Sequence, residues 1–183
     1  MENPFSTKCW ASGVLPFRFT ETGENIDTLL ERARRYPTCQ IVGPHGSGKS
    51  TLLLSLMKRY EQSGKNIQLL FFNDQHRQIP SDITFQENMT LFADGFEQLR
   101  FRDQCRLLCW SERKILTLHR PIWFVPVLFR TQPQFSVFVQ IVQKLAPDML
   151  TESELQSVYK RSGGNFRSAF FELYDRWEND LKL

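Results

Sequence analysis

The sequence predicts an α/β protein with a mainly parallel five-stranded sheet flanked by helices and a small helical unit at the C-terminal end. Three observations carry this. Short apolar runs recur along the chain, helix-like segments separate several of them, and the pattern turns wholly helical beyond Arg130. The strands are expected at CQIV (39–42), IQLLFF (67–72), TLFA (90–93), ILTL (115–118) and PVLF (126–129). Strands that alternate with helices imply parallel pairing, because each crossover must return the chain to the same edge.

The helices follow from period and punctuation. NIDTLLERARRY has helical character, with Asp27 as N-cap and Pro37 as the stop, and further helices are expected over Thr51 to Gln62 and Glu97 to Arg113. After Arg130, FSVFVQIVQKL places Phe135, Phe138, Val139, Val142 and Leu145 on one face. TESELQSVYKRSGG opens with a capping box, Thr151 to Glu154, and stops at Gly163-Gly164. NFRSAFFELYDRWE starts from Asn165 and aligns Phe166, Ala169, Phe170, Leu173, Tyr174 and Trp177, a packing stripe. Residues 1–133 are therefore expected to form the sheet domain and residues 134–183 the helical one.

Composition narrows the class. A chain of 183 residues with 41% apolar content and sixteen phenylalanines can bury a real core. A net charge of +3 is too small to argue nucleic-acid binding alone, and the arginines of RARR (32–35) and of 100–113 read as solvated helix faces. The four cysteines at 9, 39, 105 and 109 include no Cys-x-x-Cys, so neither a zinc site nor a disulfide framework is expected. The opening MENPFSTKCW lacks the charged-then-apolar order of a signal peptide, and PIWFVPVLF is too short to span a bilayer. The expectation is a soluble, cytoplasmic protein without a membrane partner.

GPHGSGKST, Gly43 to Thr51, fits G-x-x-x-x-G-K-[ST] through Gly43, Gly48, Lys49 and Ser50. Backbone N–H groups of such a loop wrap a phosphate, and its glycines allow the close approach. All of Gly43, Pro44, His45, Gly46, Ser47, Gly48, Lys49, Ser50 and Thr51 are candidates for contact with the nucleotide. Within the loop, Lys49 reaches the terminal phosphates, Ser50 ligates Mg²⁺, and the following helix points its positive end at the anion. His45 occupies an unrestricted position and reads as a spectator. The expected fold is thus that of a P-loop NTPase.

A P-loop protein also needs an aspartate at the end of an apolar strand to hold Mg²⁺, and TLFAD supplies it at Asp94. The alternative is a helix N-cap, since Asp94 and Glu97 also match a capping box. Glu97 is equally a candidate base for polarising the attacking water. IQLLFF fits as an intervening strand between the two motifs. Thr117 and His119, at the end of ILTLH, are candidate γ-phosphate sensors. Arg120 and Arg130 read as surface residues before they read as arginine fingers.

Together the phosphate loop, LFAD, ILTLH and SGGNFRSAFFELYD resemble an AAA+-type ATPase of the additional-strand class. The resemblance implies that the helical unit is a lid, that Gly164 and Arg167 match its sensor helix, and that Arg167 reaches the γ-phosphate. In place of a glutamate directly after Asp94, Asp94-Gly95-Phe96-Glu97 resembles the signal-transduction ATPases called STAND proteins, which implies slow turnover.

Three functions fit these residues. The first is a Mg²⁺-dependent ATP hydrolase or ATP-operated switch, binding ATP and ADP and acting on a protein partner or its own copies. The second is a nucleotide-dependent binding module without hydrolysis. The third, a small-molecule phosphotransferase, is disfavoured by the inferred strand order and by the lack of an arginine-rich lid in mid-chain. The guanine-reading Asn-Lys-x-Asp pattern is missing, which disfavours a GTPase.

Overall fold

Residues 2–180, apart from 21, 22, 84, 85, 111 and 148, are described by a computed structural model. Five strands form one sheet: β1 (Thr38–Val42), β2 (Ile67–Phe71), β3 (Thr90–Asp94), β4 (Lys114–Leu118) and β5 (Val127–Arg130). Their spatial order is β2-β3-β4-β1-β5, and each neighbouring pair is parallel. The strand carrying the phosphate loop and the strand ending in Asp94 are thus separated by one strand. That strand is β4, the ILTL run. IQLLFF, expected between them, forms β2 at the sheet edge, because proximity in the chain does not set the order across a sheet.

Both faces of a parallel sheet need cover, and alternation along each strand supplies two apolar surfaces. Cys39, Ile41, Phe92 and Ile115 meet α2 (Ile26–Ala33) and α3 (Lys49–Gln62), where Leu29, Leu30, Leu52, Leu53 and Leu56 are buried. Leu91, Ala93, Leu116 and Leu118 point to the other face and meet Leu107 of α4 (Phe101–Cys109), Phe96 and Leu99. One inward residue of β1 is polar. Gln40 is fully buried, and its side chain donates to the carbonyls of Ile122 (2.8 Å) and Val125 (2.6 Å) and accepts from the Ile122 N–H (3.0 Å). These bonds seat the helix-free crossover from β4 to β5.

Several helix boundaries differ from expectation: α2 ends at Ala33, short of Pro37, and α3 begins at Lys49, ahead of Thr51. The N-cap of α2 is Asn25, whose side chain accepts from the Thr28 N–H at 2.9 Å while Thr28 answers the Asn25 N–H. Asp27 instead sits in the first turn and pairs with Arg59 at 2.8 Å. The helix expected over Glu97 to Arg113 is split into a 3₁₀ turn, Phe96–Gln98, and α4. Burial of Leu99 holds it and Arg100 extended, and Lys114 is already paired in β4.

The helical unit consists of α5 (Phe135–Leu145), α6 (Glu152–Arg161) and α7 (Phe166–Asp180), packed through Phe138, Val142, Leu155, Val158, Ala169 and Leu173. The Thr151–Glu154 capping box forms as expected and satisfies free N–H groups at the start of α6. The opening segment joins this cluster. Phe5 is fully buried in it, Asn3 donates to the Tyr174 carbonyl (3.1 Å), and Trp10, at the end of α1 (Thr7–Trp10), stacks on Phe170 at 5.1 Å. The chain then runs to the sheet, where Phe17, Phe19 and Phe129 meet edge to face. Among the described residues, no helix is long and apolar enough to cross a membrane.

Replacing Gln40 by leucine strands the part-buried N–H of Ile122 and the carbonyls of Ile122 and Val125. Gln40→Leu is expected to lower the unfolding free energy by about 3 kcal/mol, measured by urea denaturation.

Candidate functional site

The phosphate loop leaves β1 between the ends of its two neighbours. Gly43 donates its N–H to the Leu118 carbonyl (3.2 Å), and Thr131, just past β5, donates to Val42 (2.8 Å). Ser47 Oγ lies 2.7 Å from Thr131 Oγ1 and donates to the Pro44 carbonyl at 2.8 Å, which ties the loop to the sheet. The helix α3 begins directly at the loop. Its N-cap is Gly48, and no side chain caps it, so its first N–H groups remain for an anion.

The loop also touches the helical unit. Gly46 has φ +68°, and a Cβ there would lie 2.0 Å from Asn165 Oδ1. That oxygen caps α7, accepting from the N–H groups of Arg167 (3.0 Å) and Ser168 (3.3 Å). The close approach brings the start of α7 against the loop, and any side chain at position 46 would part them.

Lys49, only 8% exposed, donates from Nζ to the carbonyls of Gly43 (2.8 Å) and Pro44 (2.7 Å). Burial pushes its pKa down, Glu97 and Asp94 oppose that shift, and Arg167 adds to it. Three of the expected site residues therefore act electrostatically on this ammonium.

Asp94 ends β3 beside Thr117 of β4. Thr117 is buried and donates to Asp94 Oδ1 at 2.6 Å, while its oxygen accepts the Gly95 N–H at 2.8 Å. The capping-box alternative fails: Gly95 is the N-cap of the 3₁₀ turn, with no side-chain cap bond. Glu97 turns elsewhere, with Oε1 2.6 Å from His119 Nδ1, and its Oε2 is buried without a hydrogen-bond partner among the described residues. Gly95 has φ +73°, and a Cβ would lie 2.4 Å from the Phe72 carbonyl. A glutamate directly after Asp94 has no room here, so the carboxylate arrives two residues later.

His119 stacks on His45 of the loop, with ring centroids 3.7 Å apart. Burial is the main cause that lowers the His119 pKa to about 4, helped by Lys49 and His45 and opposed by Asp94. At neutral pH the ring is thus uncharged, and its Nδ1–H donates to the Glu97 carboxylate. Burial also raises the Glu97 pKa, against its own backbone N–H and Lys49.

A cavity of about 620 Å³ opens beside the loop, within the usual range for a small-molecule site. Gly46 to Thr51, Ser50 among them, line one side, and Arg167 of α7 and Arg130 line it further round. Trp10, Phe17, Arg18, Ile141, Phe170 and Phe171 are among the other lining residues. The sequence marks none of these six as a site residue, although Trp10 and Phe17 stand close together in the opening segment. Asp94, Glu97, Thr117, His119 and Arg120 lie outside this lining, the first four grouped at the ends of β3 and β4. The hydroxyl of Ser50 and the carboxylate of Asp94 are hard oxygen donors that suit Mg²⁺, and the glycine-built cradle suits a phosphate.

No family model matches the sequence, and no curated protein is significantly similar to it. The fold is similar to that of RuvB from Thermotoga maritima, a Holliday junction branch migration motor. The TM-score is 0.56 at 16% identity, over 86% of this chain and 60% of RuvB. A substituted form of the same protein gives 0.56 at 17% identity, over 87% and 63%. This chain spans about 60% of the length of the RuvB structures it matches. The sheet and its flanking helices share the fold of these RuvB structures, a five-stranded parallel α/β sheet. At such low identity the likeness speaks for the fold alone.

The His119 shift has a consequence for acid stability. An unfolded imidazole takes its proton near pH 6.5 but the folded one only near 4, so this group's contribution is complete above 6.5 and is lost as pH falls towards 4. The raised Glu97 pKa works in the opposite sense, adding stability on acidification. In an NMR titration, the His119 ring signals are expected to stay those of a neutral imidazole through pH 6, with a midpoint at about 4.

Proposed function

We propose that this chain binds ATP with Mg²⁺ and works as a slow ATPase whose turnover operates a conformational switch of AAA+-like type. The observation that carries this reading is the convergence on Lys49. The loop carbonyls of Gly43 and Pro44 hold its ammonium, and the charges of Asp94, oriented by Thr117, and of Glu97, bonded to His119, act on it.

In this reading the loop N–H groups and the free start of α3 receive the β and γ phosphates. Lys49 exchanges its loop carbonyls for phosphate oxygens. Ser50 and Asp94 hold Mg²⁺, which supplies neutralisation of the phosphate charge. Thr117 fixes the orientation of Asp94 and senses the γ-phosphate through it. Glu97 takes a proton from a water whose oxygen bonds to the γ-phosphorus. The bond from that phosphorus to the bridging oxygen breaks, and ADP and phosphate leave. Turnover is slow because the base sits on a 3₁₀ turn and not on the strand beside Asp94.

We take residues 1–133 as the nucleotide-binding domain and 134–183 as its lid, with the opening segment strapped to the lid through Phe5 and Trp10. Arg167, exposed at the start of α7, approaches the γ-phosphate from the lid, and the Gly46–Asn165 contact links loop and lid. Hydrolysis would then change how the lid seats, which is the signal to a protein partner or a second copy.

The test pairs two variants. Glu97→Gln is expected to lower phosphate release about 100-fold while nucleotide affinity survives. Lys49→Ala is expected to abolish both binding and turnover, measured by phosphate release and by titration with a fluorescent ATP analogue. Tight ATP binding by the wild type without any phosphate release would leave a nucleotide-dependent binding module in place of a hydrolase.

A further inference from the structure

The phosphate loop carries a histidine at a position that its motif leaves open, and the fold gives that ring a partner. The His45 and His119 rings lie 3.7 Å apart, with planes 38° from each other. His119 Nδ1 is 2.6 Å from Glu97 Oε1, and Glu97 Oε2 is buried without a partner among the described residues. Three side chains from three segments thus form a continuous chain: the loop after β1, the end of β4, and the turn after β3. It terminates on a carboxylate whose charge reaches Lys49.

We propose that His119 is a positioning residue for Glu97, and that His45 holds His119 through its ring face, so that the phosphate loop and the base are mechanically linked. The inference rests on the hydrolase reading above. A glutamate has three side-chain torsions, and a base that serves one water must spend its time in one of their combinations. The hydrogen bond from His119 fixes Oε1, and Oε2, buried here, becomes the acceptor for the proton of that water once movement of the loop uncovers it. A single donor cannot fix a rotating ring by itself, and the His45 ring lies against the face of the imidazole to limit that rotation. The charged and titratable groups acting on this chain are Lys49 and Asp94, which act on both His119 and Glu97. Movement of the loop on filling passes to His119 by ring contact, and from there to the carboxylate.

The experiment compares phosphate release and ATP-analogue affinity in wild type, His119→Ala, His119→Asn, His45→Ala, His45→Phe, Glu97→Gln and the Glu97→Gln, His119→Ala double variant. His119→Ala is expected to lower kcat about tenfold and to leave nucleotide affinity within about twofold. His119→Asn, whose amide nitrogen can stand where Nδ1 stands, recovers most of that loss. His45→Ala lowers kcat about fivefold and His45→Phe, which keeps a flat ring, clearly less. The double variant is no slower than Glu97→Gln alone, since His119 acts only through Glu97. Wild-type rates in His119→Ala, a parallel loss of affinity, or an additive double variant would each overturn the inference. So would equal damage from His45→Phe and His45→Ala. A wild type that binds ATP but releases no phosphate overturns the hydrolase reading itself, and this inference with it.

Discussion

The placement of β4 between β1 and β3 is the constraint on which the rest of the site depends. Parallel pairing brings the C-terminal ends of all three strands to one edge, so the phosphate loop, Thr117 and Asp94 emerge side by side. The hydrogen bond from Thr117 to Asp94 is a direct product of that register. Because β1 and β4 are both buried, the edge is rigid, and the loop above it is tied down by Leu118 on one side and Thr131 on the other. Only then does a glycine-rich sequence become a cradle instead of a loose turn.

A second constraint acts through one glycine. The backbone at Gly95 must turn with positive φ beneath the Phe72 carbonyl, which is itself fixed because Phe72 donates its N–H to Asp94. That closes the position after Asp94 to any side chain and sends the next carboxylate to the 3₁₀ turn. Glu97 there is partly buried and feels the charge of Lys49, and its partner is His119, the residue after β4. The acid and the imidazole are both driven towards their neutral forms by burial, which makes one shared hydrogen bond the economical arrangement.

The cavity beside the loop depends on contacts between distant parts of the chain. Phe5 and Trp10 pack with α7, while Phe17 and Phe19 pack on Phe129 of β5, so the opening segment bridges the helical unit and the sheet. The Gly46–Asn165 approach closes the same gap from the other side. The cavity is lined by aromatic, aliphatic and polar side chains together with the first turn of α3.

By itself the sequence determined the local grammar. The motif Gly43 to Thr51 needs only backbone N–H groups, glycines and one lysine at fixed spacing, all of which are local. The five strands, the Thr151–Glu154 box, the Asn165 cap and the apolar stripes of α5 and α7 are likewise set by neighbours within a few residues. What only the tertiary structure decided lies in pairings between distant residues. IQLLFF went to the sheet edge because strand order follows crossover direction and burial, neither of which is written in chain order. Asp94 and Glu97, a capping box by spacing, were drawn apart because Thr117 on β4 and His119 just past its end offered each a partner. His45 looked idle because its motif position is unrestricted, and its stacking partner lies seventy-four residues away in the chain. A hydrogen bond or ring contact across strands leaves no periodicity in the sequence, so only the folded sheet could supply these residues.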